Sequence, residues 1–383
     1  MLSPKITKVS YYPAPGYQRR VISQSHGIIE IETDAGISGI GEGGSPDLVS
    51  QLARFLIGED PLRIEHLWQT LFRADFYPAG RELTHALGGL DMALWDIKGK
   101  LLDVPVYQLL GGRYRDHIEC YATAFDPENP NLAEAARKCM DFGYAAYRTT
   151  GLVDNSSQTF DDKKAVSAIY RQCEAIANEL GDDGFWAIDF HTRFDPIHAI
   201  ELAKRLEPLK PLFCEDLVRS EHLSQYRSIR QQTSAPLAAG EQLSHRWECQ
   251  DLIKEKLIDF ARITLPNVGG ITELRKILSE LETQFITFVP HFTGPISTAA
   301  LVHCGISFPG RVIQEIVGTG PAEKPYLNSD YIIFKEGKLY PNDHPGIGVT
   351  LVKEKLTKTL EVTERDPHAF PIFKRPDGSY TNW

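Results

Sequence analysis

Positive charge is what this chain has too little of. Its 383 residues carry 41 Lys and Arg against 51 Asp and Glu, a formal net charge of −10. A nucleic-acid or anionic-membrane surface needs clustered Lys and Arg, so neither partner is expected. The deficit leaves an anionic small molecule open, because a bound metal reverses the local potential. Cysteine is sparse and scattered: the six occur singly, with no C-x-x-C pair. That argues against a disulfide or zinc framework and for buried thiols in a reducing compartment. No apolar run approaches transmembrane length, and MLSPKITKVSYY contains no apolar h-region. A cytoplasmic protein is expected. Low-complexity segments and short-period repeats are missing too.

What is present reads as two architectures in series. The chain is too long for one small core. RRVISQSHGIIEIETDAGISGIGEGG alternates like two β runs around an Asp34-Ala35-Gly36 turn. From about Leu62 to Leu102 the period becomes helical, with Leu83, Leu87, Leu90, Leu94 and Ile97 at three- and four-residue steps. From about His117, eight short apolar runs follow, among them IECYATA, YAAYRTT, FWAIDF, PLFCED, PLAAGE and RVIQEI, separated by amphipathic segments. Eight strand–helix alternations predict an α/β closed parallel barrel. The expected division is an N-terminal α+β capping domain over 1–115, a (β/α)7β barrel of modified TIM type over 116–320, and a C-terminal segment over 321–383. In that last segment YLNSDYIIFKEGKLYPND reads as a β pair returning to the first domain.

Chemistry in such a barrel sits at the C-terminal ends of its strands. The third, fourth and fifth runs end in Asp189, Glu215 and Glu241, each 26 positions after the one before. Three carboxylates converging at one rim repel unless a cation lies among them. Oxygen-only donors favour a hard divalent ion, Mg²⁺ or Mn²⁺. His191 lies two residues beyond Asp189 and shares its face if the strand continues that far; His291 ends the seventh run in FVPH. Imidazoles flanking such a site read as general acid and base. Glu315 ends the eighth run, able to meet an oxyanion if burial keeps it protonated, or to orient a neighbour. Val268 to Gly270, before ITELRKILSEL, is either a backbone anion site or a tight turn. The loop at Gly318 to Gly320 reads as plain loop.

The segments GGLDMALWDIKGKLLDVPVYQLLGG, DFHTRF, LEPLKPLFCED, PLAAGE, VGGITELRKI, VPH and PDGSYTNW resemble the enolase superfamily, in particular the acid-sugar dehydratases of its mandelate racemase-like branch. The resemblance implies a Mg²⁺ enzyme with Asp189, Glu215 and Glu241 as metal ligands, His191 as acid, His291 as base and Glu315 holding the substrate carboxylate. It implies abstraction of the proton α to a carboxylate through a metal-stabilised enediolate, and loss of the 3-hydroxyl to give a 2-keto-3-deoxy sugar acid. A homo-oligomer is expected. Candidate substrate contacts are Arg193, Thr150, Tyr77 and Arg81, with the cap segment Phe76 to Arg81 and the loop around Pro15 to Gln18 placed over the barrel mouth.

Three departures from the resemblance stand out. Tyr147-Arg148-Thr149-Thr150 replaces the K-x-K of racemases, and Arg148 is too basic for a simple general base, although mannonate-type relatives use such an arginine. Thr264 replaces the aspartate that orients the base histidine in galactonate-type relatives. FLEEP becomes Phe213-Cys214-Glu215-Asp216-Leu217. An epimerase or cycloisomerase sharing the enolisation, and an inactive sugar-acid-binding homologue, are the competing readings. A zinc hydrolase is disfavoured, since no H-x-H follows the first run.

Overall fold

The computed structural model describes residues 3–15, 27–151, 159–366 and 373–381. A four-stranded antiparallel sheet is ordered Leu360–Val362, Ile6–Pro13, Gly27–Thr33, Ser38–Glu42. The last two form the hairpin that the Asp34-Ala35-Gly36 turn predicts, with Gly36 at φ 75°. The predicted helical stretch resolves into two helices, Ile64–Phe72 and Arg81–Leu101, joined by an exposed loop carrying Phe76 and Tyr77. The longer one lies against the sheet at van der Waals limits. A Cβ at Gly41 would stand 1.9 Å from the Gly89 carbonyl oxygen, so only glycine permits the approach.

Eight parallel strands follow: Ile118–Thr123, Ala146–Thr149, Trp186–Asp189, Cys214–Glu215, Leu237–Ala239, Phe260–Ala261, Thr287–Phe288 and Ile313–Val317. Each pairs with its neighbour in order, the eighth pairs with the first, and a Phe288–Val312 bridge joins seventh to eighth. An α-helix follows each of the first seven strands and, among the described residues, none follows the eighth, which is the (β/α)7β order. Tyr121, Phe213 and Phe260 from strands one, four and six fill the interior beside Ala146, Ala187 and Ala238 from two, three and five. Large residues against small ones let the layer interdigitate, so the barrel is plugged and its chemistry is confined to the rim.

The C-terminal expectation is corrected in one respect. Ile333–Lys335 and Lys338–Tyr340 do form a β pair, but it joins the barrel, Lys338 and Leu339 pairing antiparallel with Glu119 and Ile118. The segment that returns to the cap sheet is Leu360–Val362, beside Val9–Tyr11. Among the described residues no helix is long and apolar enough to cross a membrane.

Candidate active site

The short strands deliver their polar ends to one rim. Asp189 and Glu215 are the last residues of the third and fourth strands and face each other in register; Glu241 lies two residues past the fifth. Between them run two buried guanidiniums. Arg148 Nη1 donates to Glu215 Oε2 at 2.6 Å and to Asp189 Oδ2 at 3.2 Å, while Nη2 lies 2.9 Å from Glu315 Oε1. Arg262 Nε donates to Glu215 Oε1 at 2.5 Å and Nη2 to Glu315 Oε2 at 2.6 Å. Glu215, Arg148, Glu315 and Arg262 thus close a ring of alternating charge, stacked over Tyr121.

This ring corrects the reading of Glu315 as a protonated oxyanion partner. Burial pulls its carboxyl upward, but Arg148 and Arg262 overrule it and hold it well below the usual carboxylate range. Both oxygens already accept, from Thr123 Oγ1 at 2.7 Å and the Phe292 N–H at 3.2 Å besides the arginines. What remains is the orienting role. Burial alone would lower Arg148; Glu215, Glu315 and Asp189 outweigh it and keep its guanidinium protonated.

The remaining carboxylates are less well matched by cations. Oxygens of Glu215, Asp216 and Glu241 lie within 4.8 Å of one another. Asp189 falls outside that group, drawn to Arg148 and to the His191 N–H, 2.6 Å from its Oδ1. The expected trio of Asp189, Glu215 and Glu241 is therefore not the one brought closest together. Burial, then repulsion from Glu215, raises Asp189 and Glu241 to about 7. The buried Asp216 Oδ2 has no hydrogen-bond partner among the described residues. An all-oxygen set with surplus negative charge and an orphaned acceptor fits a hard dication.

His291 stands three residues beyond its strand, its N–H donating to Ile263 O at 3.1 Å. Its Nδ1 is 3.1 Å from Thr264 Oγ1, and the Thr264 hydroxyl donates to Glu241 O at 3.1 Å. A hydroxyl has one proton. Having given it to Glu241 O, Thr264 is an acceptor for Nδ1–H, and Nε2 lies 3.3 Å from Glu241 Oε2. Burial pushes His291 down to about 3, so the ring is neutral at pH 7.

The two-residue alternation from Asp189 to His191 does not continue. The strand ends at Asp189, and His191 and Thr192 take the left-handed conformation at φ 51° and 55°. His191 is thereby turned to solvent while Asp189 is buried. It lines a cleft of about 920 Å³ with Thr192, Arg81, residues 219–224 and 241–244, Glu248 and Asp251. Arg193 is exposed and donates to Thr150 O at 3.0 Å, joining two candidate substrate contacts at the rim outside that lining. Tyr77 is 72% exposed and does not line the cleft either. Of the loop around Pro15 to Gln18, residues 16–18 lie outside those described, as does most of the loop after the second strand. The Val268–Gly270 alternative resolves as a turn: Asp91 accepts from the Thr272 N–H at 2.9 Å, so a carboxylate of the chain itself takes the helix N-terminus.

Sequence reasoning gave no role to Arg262 or Asp216. Both left a signal, a charge inside the apolar run LIDFARITL and a second acid directly after Glu215.

Comparison with known proteins follows the same lines. Residues 13–111 match the mandelate racemase / muconate lactonizing enzyme N-terminal domain, and residues 131–355 match the enolase C-terminal domain-like family. A D-galactonate dehydratase from Pectobacterium atrosepticum is 34% identical, over 99% of this chain and 100% of its own. A solved member of the enolase superfamily from Salmonella Typhimurium superposes with a TM-score of 0.85 at 27% identity, covering 94% of this chain and 100% of that one. An enolase from Pantoea ananatis with bound D-gluconate and magnesium superposes at 0.81 with 31% identity, covering 92% and 93%.

Proposed function

From the premise that the chain belongs to the enolase superfamily, in its mandelate racemase/muconate lactonizing enzyme group, and is a lyase, we propose that it dehydrates a sugar acid of the hexonate type. The observation that carries the reading is a buried imidazole, held by Thr264 at Nδ1 and 3.3 Å from Glu241 at Nε2, beside a carboxylate cluster at the rim of the barrel. The galactonate-dehydrating relative and the gluconate- and magnesium-bound neighbour support the substrate class and the metal.

Asp189, Glu215 and Glu241 would hold the dication, magnesium in the first instance. It supplies Lewis-acid stabilisation of the charge that develops on a substrate carboxylate when its α-proton leaves. The chain's own residues do the rest. His291 Nε2 takes the α-proton; negative charge growing beside the imidazole raises its proton affinity as it does so. Thr264 holds Nδ1–H in place through the transfer, the part an aspartate plays in galactonate-type relatives. Arg148 and Glu315 fix one another and Glu215, keeping the acidic rim rigid. His191, which lines the cleft, would protonate the departing 3-hydroxyl, and the product would be a 2-keto-3-deoxy sugar acid.

Incubating the magnesium-loaded protein with a panel of aldonates and aldarates, and assaying 2-keto-3-deoxy products, tests this. One or more acids should be converted, and EDTA should stop the conversion. A product with the hydroxyl retained and one stereocentre inverted would instead make the protein an epimerase.

A further inference from the structure

Directly after the fourth strand the chain turns sharply. Asp216 sits at φ 44°, in the left-handed region that a residue with a Cβ enters only at a cost. Two backbone bonds hold it there: its N–H donates to Ala238 O at 3.0 Å, and its carbonyl accepts from the Thr192 N–H at 2.9 Å. The turn sends a carboxylate into the barrel rim, where the side chain is 2% exposed. A buried carboxylate normally finds donors for both oxygens. Asp216 Oδ2 has none among the described residues, and no guanidinium or ammonium pairs with it, in contrast to Glu215 and Glu315. The carboxylate instead lies within 4.8 Å of oxygens of Glu215 and Glu241, two of the residues that the reading above assigns to the dication.

Glu215 has its counter-charge in Arg148 and Arg262, and Glu241 has Arg262 at 3.7 Å, but Asp216 has no cation beside it among the described residues and keeps an acceptor unfilled. We infer that Asp216 is a fourth carboxylate of the dication centre, holding the cation together with Glu215 and Glu241. This rests on the metal-dependent reading and extends it. The aspartate following the strand-end glutamate tightens the site, and the left-handed turn exists to aim it.

Metal binding tests the inference without turnover. Mn²⁺ titrated into chelator-treated protein and followed by EPR of the free ion gives the affinity of the wild type, Asp216→Asn and Asp216→Gly. Asparagine tolerates left-handed backbone and keeps the shape; glycine relieves the backbone cost entirely, so one of the two folds if the turn matters to folding. Circular dichroism identifies the folded variant. Glu221→Gln removes a charge from the same cleft outside the cluster and controls for net charge. The expected result is a loss of Mn²⁺ affinity of about 10–100-fold in the folded Asp216 variant, with Glu221→Gln close to wild type. Wild-type affinity in a folded Asp216 variant overturns this inference alone. Failure of the wild type itself to bind Mn²⁺ overturns the metal-dependent reading along with it.

Discussion

Two groups compete for the role of base, and their surroundings separate them. Arg148 is committed to Asp189, Glu215 and Glu315, each of which favours its protonated form, so it has no lone pair to offer. Burial pushes His291 down to about 3, and its Nδ1 has the Thr264 hydroxyl as partner at 3.1 Å. His291→Asn should therefore abolish exchange of the substrate α-proton with deuterated water, while Arg148→Lys, which keeps the charge, should retain it. Exchange surviving in His291→Asn would move the base to the second strand. Thr264→Val is the sharper probe. It preserves shape but removes the acceptor for Nδ1–H, freeing the ring to adopt the unproductive tautomer. The kcat should fall by about 10²–10⁴-fold, the usual span of a general-base contribution, with KM little changed and partial recovery in Thr264→Ser. Unchanged kcat in the valine variant would separate Thr264 from the chemistry. The carboxylates and histidines were legible in the sequence because each follows an apolar run. The ionised state of Glu315 was not, since it depends on Arg148 and Arg262, 167 and 53 positions away, meeting it inside the barrel.

Elements are joined by buried acids at places the sequence shows only as a motif. In GLDMALWDIKGK, Asp91 on the long cap helix accepts from Thr272 N–H and Oγ1 at 2.9 and 2.5 Å, capping the barrel helix Ile271–Thr283 across the domain boundary. Five residues on, Asp96 accepts from Ile40 N–H at 2.8 Å and Ile347 N–H at 2.9 Å and pairs with Lys100. Glu42, ending the cap sheet, does the same for helix Pro295–Ser307 through the Ser297 N–H at 2.9 Å. Asp91 in the motif and Glu42 outside it are thus interdomain helix caps, while Asp96 ties the cap helix to the cap sheet and to Ile347; periodicity shows none of this, because Thr272, Ser297 and Ile347 lie far along the chain. Asp91→Ala should lower stability by about 1–3 kcal/mol, the cost of leaving buried donors unsatisfied, seen as a reduced Tm at unchanged metal affinity. A Tm equal to wild type would mean that water replaces the carboxylate at the helix end.

Among the described residues the barrel interior is filled by side chains, and the cleft at its rim is lined by barrel loops and by Arg81 of the cap. Alternating apolar runs and helices announced that barrel, since eight repeats of one pattern leave few other closures. The cleft was harder to foresee. It is assembled from the cap helix at Arg81, the third-strand loop at His191, the fourth-strand loop at 219–224 and the fifth-strand loop at 241–244, which no local pattern brings together. Among the described residues, Arg81 is the one residue of the cap in that lining, at the first position of the helix Arg81–Leu101. Its pairing with Glu82 at 3.0 Å is a partly exposed contact of little value to the fold. An arginine held loosely beside a cleft for an anionic acid can turn to the ligand at small cost. Arg81→Ala should thus raise KM for the converted sugar acid about tenfold, equivalent to ~1.4 kcal/mol of binding, and leave Tm nearly unchanged. With the proposed base on the barrel and not on the cap, kcat should change less than KM. The shift should be larger for an aldarate than for an aldonate if Arg81 faces the end of the substrate distant from the cation site. Steady-state kinetics on both acids, alongside thermal unfolding, decides it: an unaltered KM with a lowered Tm would make Arg81 a prop for the cap helix and leave recognition to the barrel loops.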